Sequence, residues 1–407
     1  MSEAVIVSTA RSPIGRAMKG SLKNVRPDDL AVTVISAALS RVPGLDPRLV
    51  EDLYLGCTEP SGEQGTNLAR VVAVLAGFDH LPGSTINRFC ASSVQTIRMA
   101  FHAIKAGEGD VFISGGVDCV SRYRDFAGAG GASADVRNPK FAPAGARGLK
   151  MADDNAPWTD PRDEGLLPDI YLSMGQTAEN VATLRGIPRL AQDEWSVLSQ
   201  NRAEKAIADG FFAREITPIT TPDGTLVSTD DGPRAGVTLE SLSALSPVFR
   251  EQGTVTAGNC CGLNDGAAAV VVMSDAKARD LGLTPLARVV STGLTALSPE
   301  IMGLGPVEAS RQALRRAGMS INDMDLIEIN EAFAVQVVAS IDDLSIDPDK
   351  LNVNGGAIAL GHPFGATGAR ITTTLLHALA ERNGQFGLET MCVGGGQGMA
   401  IIYERLS

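Results

Sequence analysis

The order of apolar strands and amphipathic helices that runs from Glu3 to Val120 recurs between Arg288 and Tyr403, on either side of a long irregular stretch. No other feature constrains the fold as much. Alternating strand and helix patterns specify a sheet covered by helices, and a repeat of that pattern specifies two such units. In the first unit Val5-Ile6-Val7 opens a strand, and Asp28–Arg41 has helical periodicity with acidic residues in its first turn. Asp52–Gly56 reads as a strand and Asn67–Ala76 as a helix; Ser93–Lys105 sets Val94, Ile97, Phe101 and Ile104 on one helical face. Val111–Ser114 is a short buried strand. In the second unit Arg288–Ser291 and Asp325–Ile329 read as strands, and Val307–Arg316 and Arg370–Arg382 as helices. Glu389–Val393 and Met399–Tyr403 close it as strands. Ala38–Gly44 matches Ala313–Gly318, and Ser114-Gly115-Gly116 matches Val393–Gly396. The expectation is a duplicated α/β fold.

Residues 122–252 behave differently. Positions 126–170 are rich in Gly, Ala, Pro and Asp with little periodicity, whereas 174–210 return to helix, most clearly at Gln192–Asp209. The strand Ala267–Met273 then rejoins the first unit. The expected division is a first half of 1–121 plus 253–274, a loop domain of 122–252, and a second half of 275–407.

Composition excludes several classes. With 407 residues, 44% hydrophobic and 20% charged, the chain is long enough for two or three domains and is neither disordered nor fibrous. No apolar run approaches the ~18 residues of a membrane span, and the first apolar stretch has no basic region before it, so it reads as a strand and not a leader. The net charge of −12 lacks the footprint of a nucleic-acid binder. Six cysteines without a C-x-x-C pair, and four histidines, point to neither a disulfide scaffold nor a metal site. Free thiols in a reducing cytoplasm are expected.

Three loops carry candidate chemistry. Asn87–Ser93 places Cys90 at the start of an amphipathic helix, where the dipole and free N–H groups would lower a thiol pKa; an inert buried cysteine fits the same segment. Gly355–Gly368 contains His362, and a glycine-rich loop presents a side chain with little crowding. His80, His102 and His377 read as surface or packing residues. The third loop, Met391–Gly398, sets Cys392 at a strand end beside glycines whose N–H groups suit an oxyanion hole. None of the loops spells a nucleotide-binding fingerprint.

Seven ordered segments together resemble the thiolase family over essentially the whole chain. They are Val7–Gly15, the Cys90 loop, Met174–Asn180, Thr256–Asn259 with Asn264–Ala268, Asn330-Glu331-Ala332-Phe333, and the His362 and Cys392 loops. The resemblance implies duplicated βαβαβαββ halves in a layered α/β/α/β/α arrangement with an inserted loop domain. It implies an acyltransferase that cleaves 3-ketoacyl-CoA or runs the reverse condensation. By the same resemblance Cys90 is the acylated nucleophile, His362 its base, and Cys392 the acid/base at the substrate α-carbon. Asn330 holds a water that acts with His362 on the thioester oxygen, and the N–H groups of Cys90 and Gly394 form a second oxyanion hole. Coenzyme A is then a substrate and no tightly bound cofactor is implied. Arg234, Ser241, Ala257 and Cys261 match CoA-contacting positions, while Met174 and Phe333 match the pocket wall; a solvated arginine and plain core packing explain Arg234, Met174 and Phe333 as well. A homodimer or homotetramer is implied, with membership of a β-oxidation complex as a further option.

Two positions depart from the family pattern. Ser173 stands where many biosynthetic members carry histidine, which loosens assignment to acetoacetyl-CoA synthesis and favours cleavage. Cys260-Cys261 stands where a small residue and serine are usual, and a thiol is the weaker hydrogen-bond partner. The Arg122–Lys150 stretch carries a local positive excess that would attract CoA phosphates, or else serves as a solvated or subunit-contacting loop. Rival readings are a ketosynthase, which usually has histidine in place of Cys392, and a thiolase-fold subunit that scaffolds a multienzyme complex.

Overall fold

The computed structural model describes residues 2–123 and 137–407. Along the chain the strands are β1 (Ala4–Arg11), β2 (Gly15–Arg16), β3 (Asp52–Gly56), β4 (Gly83–Ile86) and β5 (Val111–Cys119). A small hairpin of β6 (Ile219–Thr220) and β7 (Leu226–Val227) precedes β8 (Asn264–Ser274). β9 (Ala287–Ala296), β10 (Leu326–Ile329), β11 (Phe386–Val393) and β12 (Gln397–Arg405) complete the set. The helices of the first half are α1 (Pro27–Ser40), α2 (Leu68–Leu75) and α3 (Ser92–Ala106). The insert holds α4 (Ala142–Asp153), α5 (Met174–Arg185), α6 (Arg189–Ala208) and α7 (Leu239–Ser243). The rest are α8 (Asp275–Asp280), α9 (Gly305–Ala317), α10 (Ala334–Leu344), α11 (Ala357–Leu360) and α12 (Thr367–Arg382).

The duplication is written in the strand order. From the middle outward the first half runs β1-β8-β5-β3-β4 and the second β9-β12-β11-β10, with a parallel bridge from Ile327 to Leu351 where β4 stands in the first half. β8 is antiparallel to β1 and β5, as β12 is to β9 and β11. β3 and β10 pair in parallel with β5 and β11. Among the described residues the two halves touch edge to edge through two residue pairs, Val5 with Arg288 and Ile6 with Ala287.

Five layers follow from where the apolar faces point. Successive residues of a strand face opposite sides, so Val270 and Val272 enter a central core while Val271 and Met273 enter an outer one. The central core contains Ile97 and Ile104 of α3, Ile371 and Leu375 of α12, and Met391 and Ile401 of the second sheet. Helices α1 and α2 cover the first sheet outside, with Leu30, Val34 and Val72. Val307 and Leu314 of α9 and Val337 of α10 cover the second. Strands buried on both faces carry no polar alternation, which is why β5 and β8 are buried at every residue.

Three expectations need correction. Ser114-Gly115-Gly116 lies in mid-strand β5, whereas Gly394–Gly396 forms the turn between β11 and β12, so those glycines are not counterparts. The stretch 126–170 contains α4, hidden by its Ala-Pro-Ala-Gly start. β9 runs on to Ala296, well past Ser291. No helix among the described residues is long and apolar enough to cross a membrane.

Candidate active site

The chain reaches α3 from β4 through a tight loop in which Phe89, a bulky residue, holds a left-handed φ of 44°. That turn is closed by side chains: the Phe89 N–H donates to Asn87 Oδ1 at 2.9 Å, and Ser92 Oγ donates to the Phe89 carbonyl at 2.6 Å. Cys90 follows, immediately before the first turn of α3. Its sulfur faces the N–H groups of Gly394 and of Cys90 itself. Arg88 Nη1 donates to Gln397 Oε1 at 2.8 Å, and Gln397 Nε2 donates to the Gly394 carbonyl at 3.2 Å, which ties this loop to the β11–β12 turn. Burial pushes the Cys90 thiol up to about 11; the two N–H groups offset this only in part, and Asp118 adds to it. The helix start therefore does not deliver the lowered pKa expected from the sequence. At neutral pH Cys90 is a thiol and needs a base.

His362 comes from the pseudo-equivalent place in the second half, the loop before α12. It is not presented openly, as a glycine-rich loop suggested, but is 1% exposed. Gly361 takes a φ of 109° against the Asn264 side chain, where a Cβ has no room. Asn264 Oδ1 accepts from the His362 N–H at 2.9 Å, and Asn264 Nδ2 donates to the Gly15 carbonyl at 3.0 Å. Further along, Gly365 N–H donates to Asp118 Oδ2 at 2.5 Å, and the Ala369 N–H to Ser93 Oγ at 2.9 Å. The histidine loop thus sits directly on the start of α3. Asp118 also accepts from Thr58, Gln64 and Tyr123, so one buried carboxylate ties four segments to that loop. Burial, with Arg370 nearby, lowers His362 to about 3, so its ring is neutral.

The His362 ring touches two side chains. Nδ1 lies 2.6 Å from Thr367 Oγ1, and Nε2 lies 3.2 Å from Asn330 Nδ2. Asn330 stands at the end of β10, and its Oδ1 is buried with no hydrogen-bond partner. The next residue, Glu331, accepts from Trp195 Nε1, Ser199 Oγ, Asn352 Nδ2 and the Ile358 N–H at 2.6–3.1 Å. It anchors the Asn330 segment to α6 of the insert and to the glycine loop. Cys392, fully buried near the end of β11, packs in a cluster with Met302, Phe333, Met174 and Phe249. Burial, then the nearby Cys90, pushes its thiol up. Cys261 senses Cys90 and Cys392 as well, and its N–H donates to the Ala332 carbonyl at 3.0 Å.

The other expected contact residues are spread around this centre. Phe333 and Phe249 meet edge to face at 6.3 Å, and Met174 starts α5. Arg234 is exposed, yet its charge reaches Cys260 and opposes the upward shift there. Ala257 is exposed on the Thr256–Asn259 turn. Ser241 is committed to capping α7: its Oγ donates to the Thr238 carbonyl at 2.7 Å. Within the basic stretch Arg122 pairs with Glu63, Arg147 with Glu300 at 2.9 Å and Lys150 with Asp154. Arg124, Asp125 and Asp135 of the same stretch lie outside the described residues.

Residues 4–276 match the thiolase N-terminal domain family and residues 283–405 the thiolase C-terminal domain family. The chain belongs to the thiolase family. Among thiolases, the 3-ketoacyl-CoA thiolase of Bacillus subtilis is 42% identical over 99% of this chain and 100% of its own. The β-ketoadipyl-CoA thiolase of Pseudomonas aeruginosa is 44% identical over 99% of each. The crystal structure of the Bacillus anthracis acetyl-CoA acetyltransferase superimposes with a TM-score of 0.87 at 40% identity, covering 100% of this chain and 99% of that one. This thiolase is accordingly an acyltransferase of mixed α/β fold. Sequence reasoning missed Asp118, Asn264 and Thr367 as supports of its histidine loop. Asp118 alone left a signal, as an acid that follows the apolar run of β5.

Proposed function

We propose that this thiolase cleaves 3-ketoacyl-CoA with free CoA, giving acetyl-CoA and an acyl-CoA shortened by two carbons, through an acyl-enzyme on Cys90. The observation that carries the reading is the convergence of the Gly394 and Cys90 N–H groups on the Cys90 sulfur, in a site whose histidine is neutral. His362 takes the Cys90 proton as sulfur attacks the keto carbon. The bond between the α- and β-carbons breaks, its electrons pass to the thioester enolate, and Cys392 gives that carbon a proton. Free CoA then attacks the acyl group; its proton passes to Cys392, and His362 returns the other to Cys90. The Gly394 and Cys90 N–H groups stabilise the tetrahedral oxyanions, each donor being worth about 3–4 kcal/mol of barrier. Asn330 Oδ1, buried and unpartnered, suits a water that acts with His362 on the thioester oxygen of the enolate.

Ser173, at the N-cap of α5 beside Met174, supports cleavage over acetoacetyl-CoA synthesis, which would use the same groups in reverse. Met174 and Phe333 wall the acyl pocket, and Arg234, Ser241, Ala257 and Cys261 line the CoA approach. No tightly bound cofactor or metal enters the scheme. Six free thiols suit a reducing cytoplasm, and the family resemblance supports a homodimer or homotetramer. The test is thiolysis of a 3-ketoacyl-CoA chain-length series, with intact-protein mass read in the same samples. An acyl adduct on the wild type and turnover that peaks at one chain length are expected. Neither adduct nor turnover on any chain would overturn the reading and leave the scaffolding subunit.

A further inference from the structure

We infer that Thr367 is a positioning residue that fixes the tautomer of His362, holding the ring proton on Nδ1 so that Nε2 carries the lone pair, which accepts from Asn330 at rest and takes the Cys90 proton in the reaction. The inference deepens the proposed function, in which Nε2 is the base. It rests on a count of hydrogens. Thr367 has one hydroxyl proton and two close partners, His362 Nδ1 at 2.6 Å and the Pro363 carbonyl at 2.9 Å. The neutral imidazole also has one proton, on one of its two nitrogens.

With that proton on Nδ1, every link has a donor and an acceptor. Asn330 N–H donates to Nε2, Nδ1–H donates to Thr367 Oγ1, and the Thr367 hydroxyl donates to the Pro363 carbonyl. Placing the proton on Nε2 reverses the chain. Thr367 must then give its proton to Nδ1, and Asn330 must turn its Oδ1 to Nε2. The structure instead presents Asn330 Nδ2 to Nε2 at 3.2 Å, and an amide N–H can only donate. Nε2 is therefore the acceptor, and the first arrangement holds. His362 is neutral throughout the working pH range, which makes the tautomer, and not the charge, the variable that matters.

Nothing else in the described structure reaches Nδ1. Replacing Thr367 by valine keeps the shape and removes the acceptor. A buried Nδ1–H then has no partner, whereas a bare Nδ1 lone pair against a methyl group is tolerated more easily. The proton therefore moves to Nε2 and the base is lost.

The experiment is nitrogen-15 NMR of histidine-labelled protein, with His362 assigned by its loss in His362→Gln among only four histidines. Wild type, Thr367→Val, Thr367→Ala and Thr367→Ser are compared, with thiolysis measured in parallel. The expected result is an Nδ1-protonated ring in wild type and in the serine variant, and an Nε2-protonated ring in the valine and alanine variants. Their kcat should fall about 100-fold or more, the range that loss of a positioned base carries, with KM within about twofold. Serine should restore most of the rate. An Nε2-protonated ring in wild type overturns the inference, as does a valine or alanine variant that keeps the Nδ1 proton. The spectrum needs no turnover, so the expected tautomers in a protein that cleaves no 3-ketoacyl-CoA would support this inference while overturning the proposed function.

Discussion

Gly116 and Gly365 meet backbone to backbone: a Cβ built on Gly116 would overlap the carbonyl oxygen of Gly365. One belongs to mid-strand β5 and the other to the loop that carries His362, so the first sheet sets how closely that loop can approach. Gly116→Ala should push the loop away. Overpacking of this kind typically destabilises by about 1–3 kcal/mol. We expect kcat to fall further than the lost stability explains, checked by denaturant unfolding beside thiolysis at a temperature where the variant is fully folded.

Cys90→Ala should abolish both the acyl adduct and turnover. Cys392→Ala should slow cleavage and formation of the carbon–carbon bond far more than acylation from acyl-CoA, because the α-carbon is a much weaker acid than the CoA thiol and depends more on a positioned acid/base. Mass spectrometry and turnover on the same samples separate these outcomes. Equal loss of both steps in the Cys392 variant would end its assignment as the acid/base.

The pH dependence of Cys90 alkylation follows from its burial. A thiol held to about 11 is ionised in roughly one molecule in a thousand at pH 8. Iodoacetamide labelling of the resting enzyme should therefore rise about tenfold per pH unit between 7 and 9. A plateau near pH 7 would instead mark a standing thiolate–imidazolium pair and overturn the neutral state of His362.

Glu331→Gln should loosen the site from beneath. The carboxylate accepts four hydrogen bonds, and an amide replaces one oxygen by donors that face donors. A loss of about 1–3 kcal/mol in unfolding free energy is expected. Activity should fall as well, since Asn330 is the adjacent residue.

The reach of the sequence differs between elements for physical reasons. Helix α3 was legible because Val94, Ile97, Phe101 and Ile104 recur with helical spacing and a left-handed Gly107 ends it. Helix α10 was not, because it starts Ala-Val-Gln-Val-Val and is buried at its first four residues, leaving no contrast between faces. β4 is four half-exposed residues, Gly-Ser-Thr-Ile, too short and polar to announce a strand. The four catalytic candidates stood out because each sits in a glycine-rich or motif segment. Their supports did not: Asp118, Asn264 and Thr367 act on residues that are distant in sequence or bond through a single hydroxyl, and spacing carries no trace of that. The pKa of Cys90 was misjudged for the same reason, since the helix start is local and the burial that outweighs it is tertiary.

Among the described residues the halves share two residue pairs along their strand edges. The separation of nucleophile from base is therefore not ruled by a ladder of backbone hydrogen bonds. It is gauged where the His362 loop lands on β5 and the start of α3, at Gly116, Asp118 and Ser93. The contact between the half that carries Cys90 and the half that carries His362 is in effect an internal subunit interface. A chain severed in the link between β8 and β9 would leave a nucleophile without a base on one piece and a base without a nucleophile on the other. Chemistry would return only on reassembly.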